Sequence, residues 1–252
     1  MSELKYIDTF REVLAQYQPS EETKKTLAEI RLALLVGPSS AGRNTIINHL
    51  IKTTGAYHYI VSDTTRKPRV NDGVLEQNGR EYWFRTEEEV LADLRAGKFL
   101  EAAIIHNQQV SGISLRELKA AANDHKIAIN EIEVVGADNI HAAAPSAVFL
   151  FVIPPSFDEW MARMNIRGEL PEDEVRRRLE SAVFEISTAL ERDYYTFVVN
   201  DTFMHAAHRI DDIIRGEAKD VEDQAAARAV AKELLEDTKT YLANMKKPEL
   251  AR

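Results

Sequence analysis

The chain has 252 residues, 44% of them hydrophobic and 29% charged, a balance that supports a buried core and one main α/β domain with appended helices. It contains no cysteine, which excludes disulfides, thiolate metal sites and cysteine nucleophiles, and no run approaches the ~20 apolar residues of a membrane span. The net charge of −9 argues against a general affinity for nucleic acid or anionic membrane, so any anion site has to be local.

Charges spread through MSELKYIDTFREVL leave no apolar signal core, and a cytoplasmic location is expected. Within residues 4–17, Leu4, Ile7, Phe10, Val13, Leu14 and Tyr17 recur near a 3.6-residue period, predicting an amphipathic helix that ends before Pro19. Ser20 opens a second short helix, SEETKKTLAEI, before the apolar run 32–36 begins a strand bounded by Gly37. Apolar β-rich runs then alternate with helical patterns: IVS near 60, FLEAAII near 100, IAINEI near 130, AVFLFVI near 150 and FVV near 198. That alternation predicts βαβ units, a three-layer α/β/α arrangement with a largely parallel, buried sheet. TEEEVLADLRAG carries a cap, an acidic first turn and a terminal glycine, and PEDEVRRRLESAVFEISTALER is a long helix with proline at its start. From about Val221 to Met245, the residues Ala227, Val230, Leu234, Tyr241, Leu242 and Met245 form one stripe, read as a docking or oligomerisation helix.

The segment LALLVGPSSAGRNTIINHLI reads strand, glycine turn, helix, with Gly37 and Gly42 spaced as in G-x-x-x-x-G-K-[ST]. Such glycines let backbone N–H groups turn inward around a phosphate, at the positive end of the following helix. Arg43 stands where that motif has lysine and Asn44 where it has the magnesium-binding hydroxyl. Arginine keeps the charge as a wider planar fork, while the Asn44 amide oxygen, or the Thr45 hydroxyl beside it, is a donor that magnesium accepts. Taken alone, the turn fits a phosphate site and an ordinary strand-to-helix connection equally well.

After the next strand come VSDTTRKPRVNDG and NGREYWF, in which Arg66, Arg69 and Tyr82 offer two guanidinium forks and a phenol to an anion. This succession resembles the monophosphate-binding region of the guanylate kinases, P-loop nucleoside monophosphate kinases, and the motifs that follow keep that family's order. Ser62, four residues before Arg66, matches the family's base-contacting serine, and Glu101 in GKFLEAAIIH its base-reading glutamate. A carboxylate there accepts the N1–H and N2–H donors of guanine, which adenine lacks. INEIEVVGA resembles the strand that ends in two acidic positions, here Glu131 and Glu133. FVIPPSFDEWMARMNIRGELPEDEVRRRLESA resembles the family's PPS turn and lid, with Arg167 and Arg178 as its phosphate-gathering arginines, and VVND places Asn200 and Asp201 near the adenine of ATP. Where the family has GNYYG[TS], this chain has HNQQVSGIS, with Ser111 or Ser114 as the stand-in, and the turn after Arg69 is longer than usual.

The resemblance covers residues 31–215, with a monophosphate-binding region at about 62–115 and a lid at about 163–178; helical extensions occupy 1–30 and 216–252. It implies ATP plus GMP giving ADP plus GDP by in-line transfer, with Mg2+ accompanying ATP. On that footing Gly37, Ser39, Ser40, Ala41, Gly42, Arg43, Asn44 and Thr45 cradle the ATP phosphates. Ser62, Arg66, Arg69, Tyr82, Glu101, Ser111, Glu131 and Glu133 hold GMP, Arg43, Arg167 and Arg178 act on the transferring group, and Asn44 is the magnesium donor. Two other readings stay open: an impaired module that binds GMP or phosphopeptides, as in scaffold proteins with an eroded loop, and a kinase acting on a ribose phosphate. The terminal helices are candidate surfaces for a second copy or a protein partner. His205 and His208 read as helix-surface residues, with no metal-site partner nearby in sequence.

Overall fold

The computed structural model describes residues 4–71, 73–105, 107–166, 168, 170–217 and 222–245. In chain order its elements are α1 (Ile7–Ala15), α2 (Glu21–Glu29), β1 (Leu32–Val36), α3 (Arg43–Thr54), β2 (Tyr57–Tyr59), β3 (Asp63–Thr64), β4 (Val70–Asn71), β5 (Val74–Leu75), β6 (Trp83–Phe84), α4 (Glu87–Arg95), β7 (Phe99–Ile105), β8 (Gln109–Ser114), α5 (Leu115–Asn123), β9 (Ile127–Glu131), α6 (Val134–Ala143), β10 (Val148–Ile153), α7 (Phe157–Asn165), α8 (Glu172–Glu191), β11 (Tyr195–Val199), α9 (Phe203–Arg215) and α10 (Glu222–Asn244). They form two compact units, one of Met1–Leu32, Ala56–Asn130 and Val135–Ala147, the other of Ala33–Gly55, Glu131–Val134 and Val148–Arg252.

In the second unit β10 pairs in parallel with β1 on one side and β11 on the other, setting Leu35 opposite Leu150 and Phe151 opposite Phe197. Every residue of β1 is buried, as is all of β10 except Val148. Such unbroken apolar runs, in place of alternation, mark strands covered on both faces. Helix α8 starts behind Pro171 with Glu172, Asp173 and Glu174 in its first turn, where acidic charge suits the positive helix end, and buries Leu179, Ala182, Ile186 and Ala189. Helix α10 packs on α8 and β11. Its stripe residues Ala227 and Leu234 are buried there and do not form an open docking face, although Tyr241 stays exposed beside the Phe157 ring at 5.1 Å. The Gln224 amide completes the edge of β11, accepting from the Phe197 N–H at 2.8 Å and donating to its carbonyl at 3.0 Å.

In the first unit β2 pairs in parallel with β9. The strand expected on IVS near residue 60 lies earlier, at Tyr57–Tyr59, with Ile60 adding one more bond to Ile129 at 3.0 Å. The ladder stops there because the Glu117 carboxylate takes the Val61 N–H at 2.9 Å. A four-stranded sheet runs in the order β6-β3-β8-β7, antiparallel between β3 and β8 and between β8 and β7. Helix α4 begins with a reciprocal capping box of Thr86 and Glu89 and is followed by Gly97 at φ +67°. Helix α1 lays Phe10 into a cluster with Val90, Leu91, Leu94, Phe99 and Val110, so the N-terminal extension is part of this unit's core. Among the described residues no helix is long and apolar enough to cross a membrane.

Phe10 is fully buried in this cluster. Phe10→Ala is expected to cost about 3–5 kcal/mol, read as a lower urea midpoint at unchanged slope.

Candidate active site

The turn between β1 and α3 departs from regular backbone at three points, Gly37 (φ +140°), Ser40 (φ +63°) and Gly42 (φ +97°). At Gly37 a Cβ would collide with the Val152 carbonyl, and at Gly42 with the Asn200 side chain, so these two positions need glycine for space as well as for dihedral angle. The first N–H groups of α3, beginning at Arg43, have no acceptor within the helix and provide an anion-binding end. Two side chains from elsewhere in the same unit fix the turn. The fully buried Trp160 of α7 donates from Nε1 to the Ser39 carbonyl at 2.8 Å, and Asn200, after β11, donates from Nδ2 to the Ala41 carbonyl at 2.8 Å. Asn200, expected near adenine, is buried against the phosphate loop; its neighbour Asp201 is exposed and accepts from the Thr202 N–H at 2.6 Å. The Ser39 hydroxyl and the Asn200 Oδ1 are buried with no hydrogen-bond partner among the described residues.

Arg43 points its fork at the end of β9, with Nε 3.8 Å from the Glu131 carboxylate and Nη1 3.4 Å from the Ile132 carbonyl. Glu133 is exposed two residues farther on. The carboxyl of Glu185 on α8 is raised above its ordinary range mainly by burial, opposed by the charge of Arg43 and reinforced by that of Glu133. Arg43 therefore sits in acidic surroundings. A cavity of about 240 Å³ is lined by Ser39, Glu174, Arg177, Arg178, Ser181 and Glu185, bringing Arg178 to the same hollow as the phosphate loop. Arg178 is held by Glu174, four residues back, at 2.8 Å, and that bond keeps the Glu174 carboxyl below the usual carboxylate range. Arg167 lies outside the described residues. Asn44 and Thr45 are exposed on the first turn of α3, and neither makes a side-chain hydrogen bond among the described residues.

In the first unit Arg66 is 9% exposed, and its guanidinium meets both oxygens of Glu76, at 2.5 and 2.8 Å. Its plane lies over the Tyr82 ring at 4.6 Å and the Phe84 ring at 5.5 Å. Glu76 also accepts from the Arg69 N–H at 2.8 Å, and its own N–H reaches the Arg69 carbonyl at 2.9 Å, so one carboxylate sets the spacing of both arginines. The Arg69 side chain is exposed. Glu76 closes the β4–β5 hairpin, which is the longer turn noticed in the sequence.

Ser62 accepts from Asn130 Nδ2 at 3.2 Å. Ser111 donates to the Thr64 hydroxyl at 2.9 Å, whereas Ser114 is committed to the buried carboxylate of Asp63, which also receives Arg85 at 2.8 Å and Arg116 at 2.5 Å. Of the two serines, Ser111 is the one that remains half-exposed. Glu101, on β7, has no hydrogen bond or ion pair among the described residues, and burial pushes its carboxyl up to about 8. The first unit thus groups Ser62, Arg66, Arg69, Tyr82, Glu101 and Ser111 on and around one small sheet, while the second groups the phosphate loop, Glu131, Glu133, Arg178, Asn200 and Asp201.

Three residues that sequence reasoning passed over belong to this machinery: Glu76, Asn130 and Trp160. The signal for Glu76 was its place in a turn longer than usual beside two arginines. Asn130 directly precedes Glu131 in the apolar run IAINEI, and an asparagine inside a buried apolar strand needs a partner. Nothing local marks Trp160, whose partner is 121 residues away.

The family model for guanylate kinase matches residues 29–217. The guanylate kinase of Corynebacterium diphtheriae is 34% identical over 187 residues, which cover 74% of this chain and 95% of that protein. That of Trichormus variabilis is 34% identical over 194 residues, covering 77% and 94%. Among solved structures, the guanylate kinase of Anaplasma phagocytophilum matches with a TM-score of 0.52 and 25% identity over 81% of this chain and 93% of that one. With a phosphate loop between β1 and α3, a small sheet carrying paired arginines, and relatives alike over most of their length, this chain belongs to the guanylate kinase family.

Proposed function

We propose that this protein transfers a phosphoryl group from ATP to GMP. The observation that carries the reading is the hollow shared by Ser39, in the turn that leads into α3, and Arg178 of α8. In such a place backbone donors, a helix end and a guanidinium surround phosphate oxygens, and phosphoryl transfer asks for little more than alignment and charge stabilisation. Gly37, Ser39, Ser40, Ala41, Gly42, Arg43 and Thr45 form the cradle. Arg43, Arg167 and Arg178 supply positive charge to the group in flight. The Asn44 amide and Thr45 hydroxyl are exposed hard oxygen donors, and they fit a Mg2+ ion that arrives with the nucleotide and keeps most of its shell from phosphate and water. When bound, that ion neutralises charge on the phosphate oxygens.

On the acceptor side Arg66, Arg69 and Tyr82 hold the monophosphate, with Glu76 fixing the two arginines. Ser62 and Glu101 are assigned to the nucleoside, Ser111 stands in as a phosphate contact, and Glu131 and Glu133 complete the acceptor set. An ionised Glu101 accepts the two guanine donors; adenine offers none there.

In a coupled assay the full chain is expected to release ADP with GMP as acceptor and far less with AMP or ribose phosphates; ADP release that no GMP concentration stimulates defeats the reading. Because burial pushes the Glu101 carboxyl up to about 8 and it binds guanine only when ionised, the protonated form dominates at pH 7 and is the minor form at pH 9. KM for GMP is therefore expected to fall about tenfold over that interval, and Glu101→Gln flattens the profile. Restoring the ordinary loop chemistry with Arg43→Lys and Asn44→Ser together is expected to raise kcat by about an order of magnitude, since the narrower ammonium escapes Glu131 and the hydroxyl suits the ion better.

A further inference from the structure

Strand β7 is the last strand of its sheet, and among the described residues no strand lies beside its outer edge. On the inner side the Lys98 carbonyl accepts from the Leu115 N–H at 2.8 Å, which turns the N–H and C=O of the next residue, Phe99, outward. Both outward groups are met by one side chain. The Tyr17 hydroxyl donates to the Phe99 carbonyl at 2.5 Å and accepts from the Phe99 N–H at 2.8 Å, as a neighbouring peptide would. Just beyond Phe99 the register with β8 shifts, because Phe99 faces Ser114 while Glu101 faces Ile113. A bulge of this kind re-aims the side chain that follows it, and its position along the strand is defined only if the residue before it is held. The residue it re-aims is Glu101.

The rest of the N-terminal segment grips the same stretch. The Ser20 N–H and the Thr23 hydroxyl both donate to the Gly97 carbonyl, at 2.9 and 2.8 Å, and a Cβ on Gly97 would lie 2.6 Å from the Ser20 nitrogen. At the far end of the hairpin the Leu4 N–H reaches the Asn107 carbonyl at 3.3 Å. Leu4, Tyr17, Ser20 and Thr23 all precede residue 29, where the family match begins.

We infer that the N-terminal segment is a positioning element of the acceptor pocket: Tyr17, by closing the edge of β7 at Phe99, sets the bulge that aims Glu101 and so contributes to guanine selectivity. The inference rests on the reading of Glu101 given above. Tyr17 acts through the strand and is a positioning residue, not a catalytic one. Its phenol is itself held up, to about 12, chiefly by burial, so it remains a donor throughout the working pH range.

The test is steady-state kinetics on the full chain carrying Tyr17→Phe, which keeps the ring in the cluster and removes both bonds. KM for GMP is expected to rise about five- to tenfold with kcat and KM for ATP unchanged, and the preference for GMP over inosine monophosphate, which lacks the N2 donor, is expected to shrink. A purely structural tyrosine would instead lower Tm and leave both KM values alone. Thr23→Val, which breaks the bond to Gly97 in nearly the same shape, is expected to move KM for GMP in the same direction and decides the matter if Tyr17→Phe does not fold. An unchanged KM for GMP in the folded variants overturns the inference. A wild-type chain that does not phosphorylate GMP overturns instead the reading of function on which it rests.

Discussion

The constraint on which the donor site depends is the closeness of Asn200 to Gly42. On the proposed function the loop between β1 and α3 presents backbone N–H groups to an anion, and backbone turned that way cannot satisfy itself through sheet or helix bonds. Asn200 resolves part of this by donating to the Ala41 carbonyl from inside the core, where any side chain on residue 42 would stand in its place. Trp160 does the same for the Ser39 carbonyl. The strained dihedral angle at Ser40 persists because the residue after β11 and the body of α7 hold the turn from outside.

The arginines named for phosphate contact share a second trait, since each one described in detail already has a carboxylate beside it. Glu76 meets Arg66, Glu131 and Glu185 surround Arg43, and Glu174 holds Arg178. In a chain with net charge −9 this confines positive potential to places where geometry opens it to a ligand. A carboxylate in bidentate contact also fixes the plane of the fork, and a guanidinium has donors to spare for a second anion. The arrangement at Arg66 is tight and buried, and its role is orientation. At Arg43 the contacts are longer, and that side chain stays the more adjustable of the two.

The two extensions outside the family match solve one problem in the same way. A sheet edge exposes unpaired backbone groups, and these invite association with other chains. The Tyr17 hydroxyl covers Phe99 on β7, and the Gln224 amide covers Phe197 on β11, each serving one residue's N–H and C=O together. Arg228 adds to the second cover, lying over the Phe197 ring at 4.6 Å and donating to the Leu190 and Arg192 carbonyls. What distinguishes them is what lies next along the strand: Glu101 in one case, the loop-holding Asn200 in the other.

Much of the architecture was written in local pattern. The continuous apolar runs of β1 and β10, the capping residues of α2 and α4, the proline ahead of α8 and the glycine spacing of the phosphate loop were legible because each depends on neighbours within a few residues. The order of the motifs from Ser62 to Asp201 likewise identified the family. Only the tertiary structure decided that Asn200 serves the phosphate loop, that Glu76 pairs with Arg66, that Val61 leaves the ladder for Glu117, and that Tyr17 and Gln224 finish the sheet edges. An amphipathic stripe such as that of α10 states that a face must be covered without saying by what, and a lone polar side chain in an apolar run states that it needs a partner without naming one. Such partners lie tens of residues or more away for most of these groups, and their identity is settled by packing, which local periodicity does not encode.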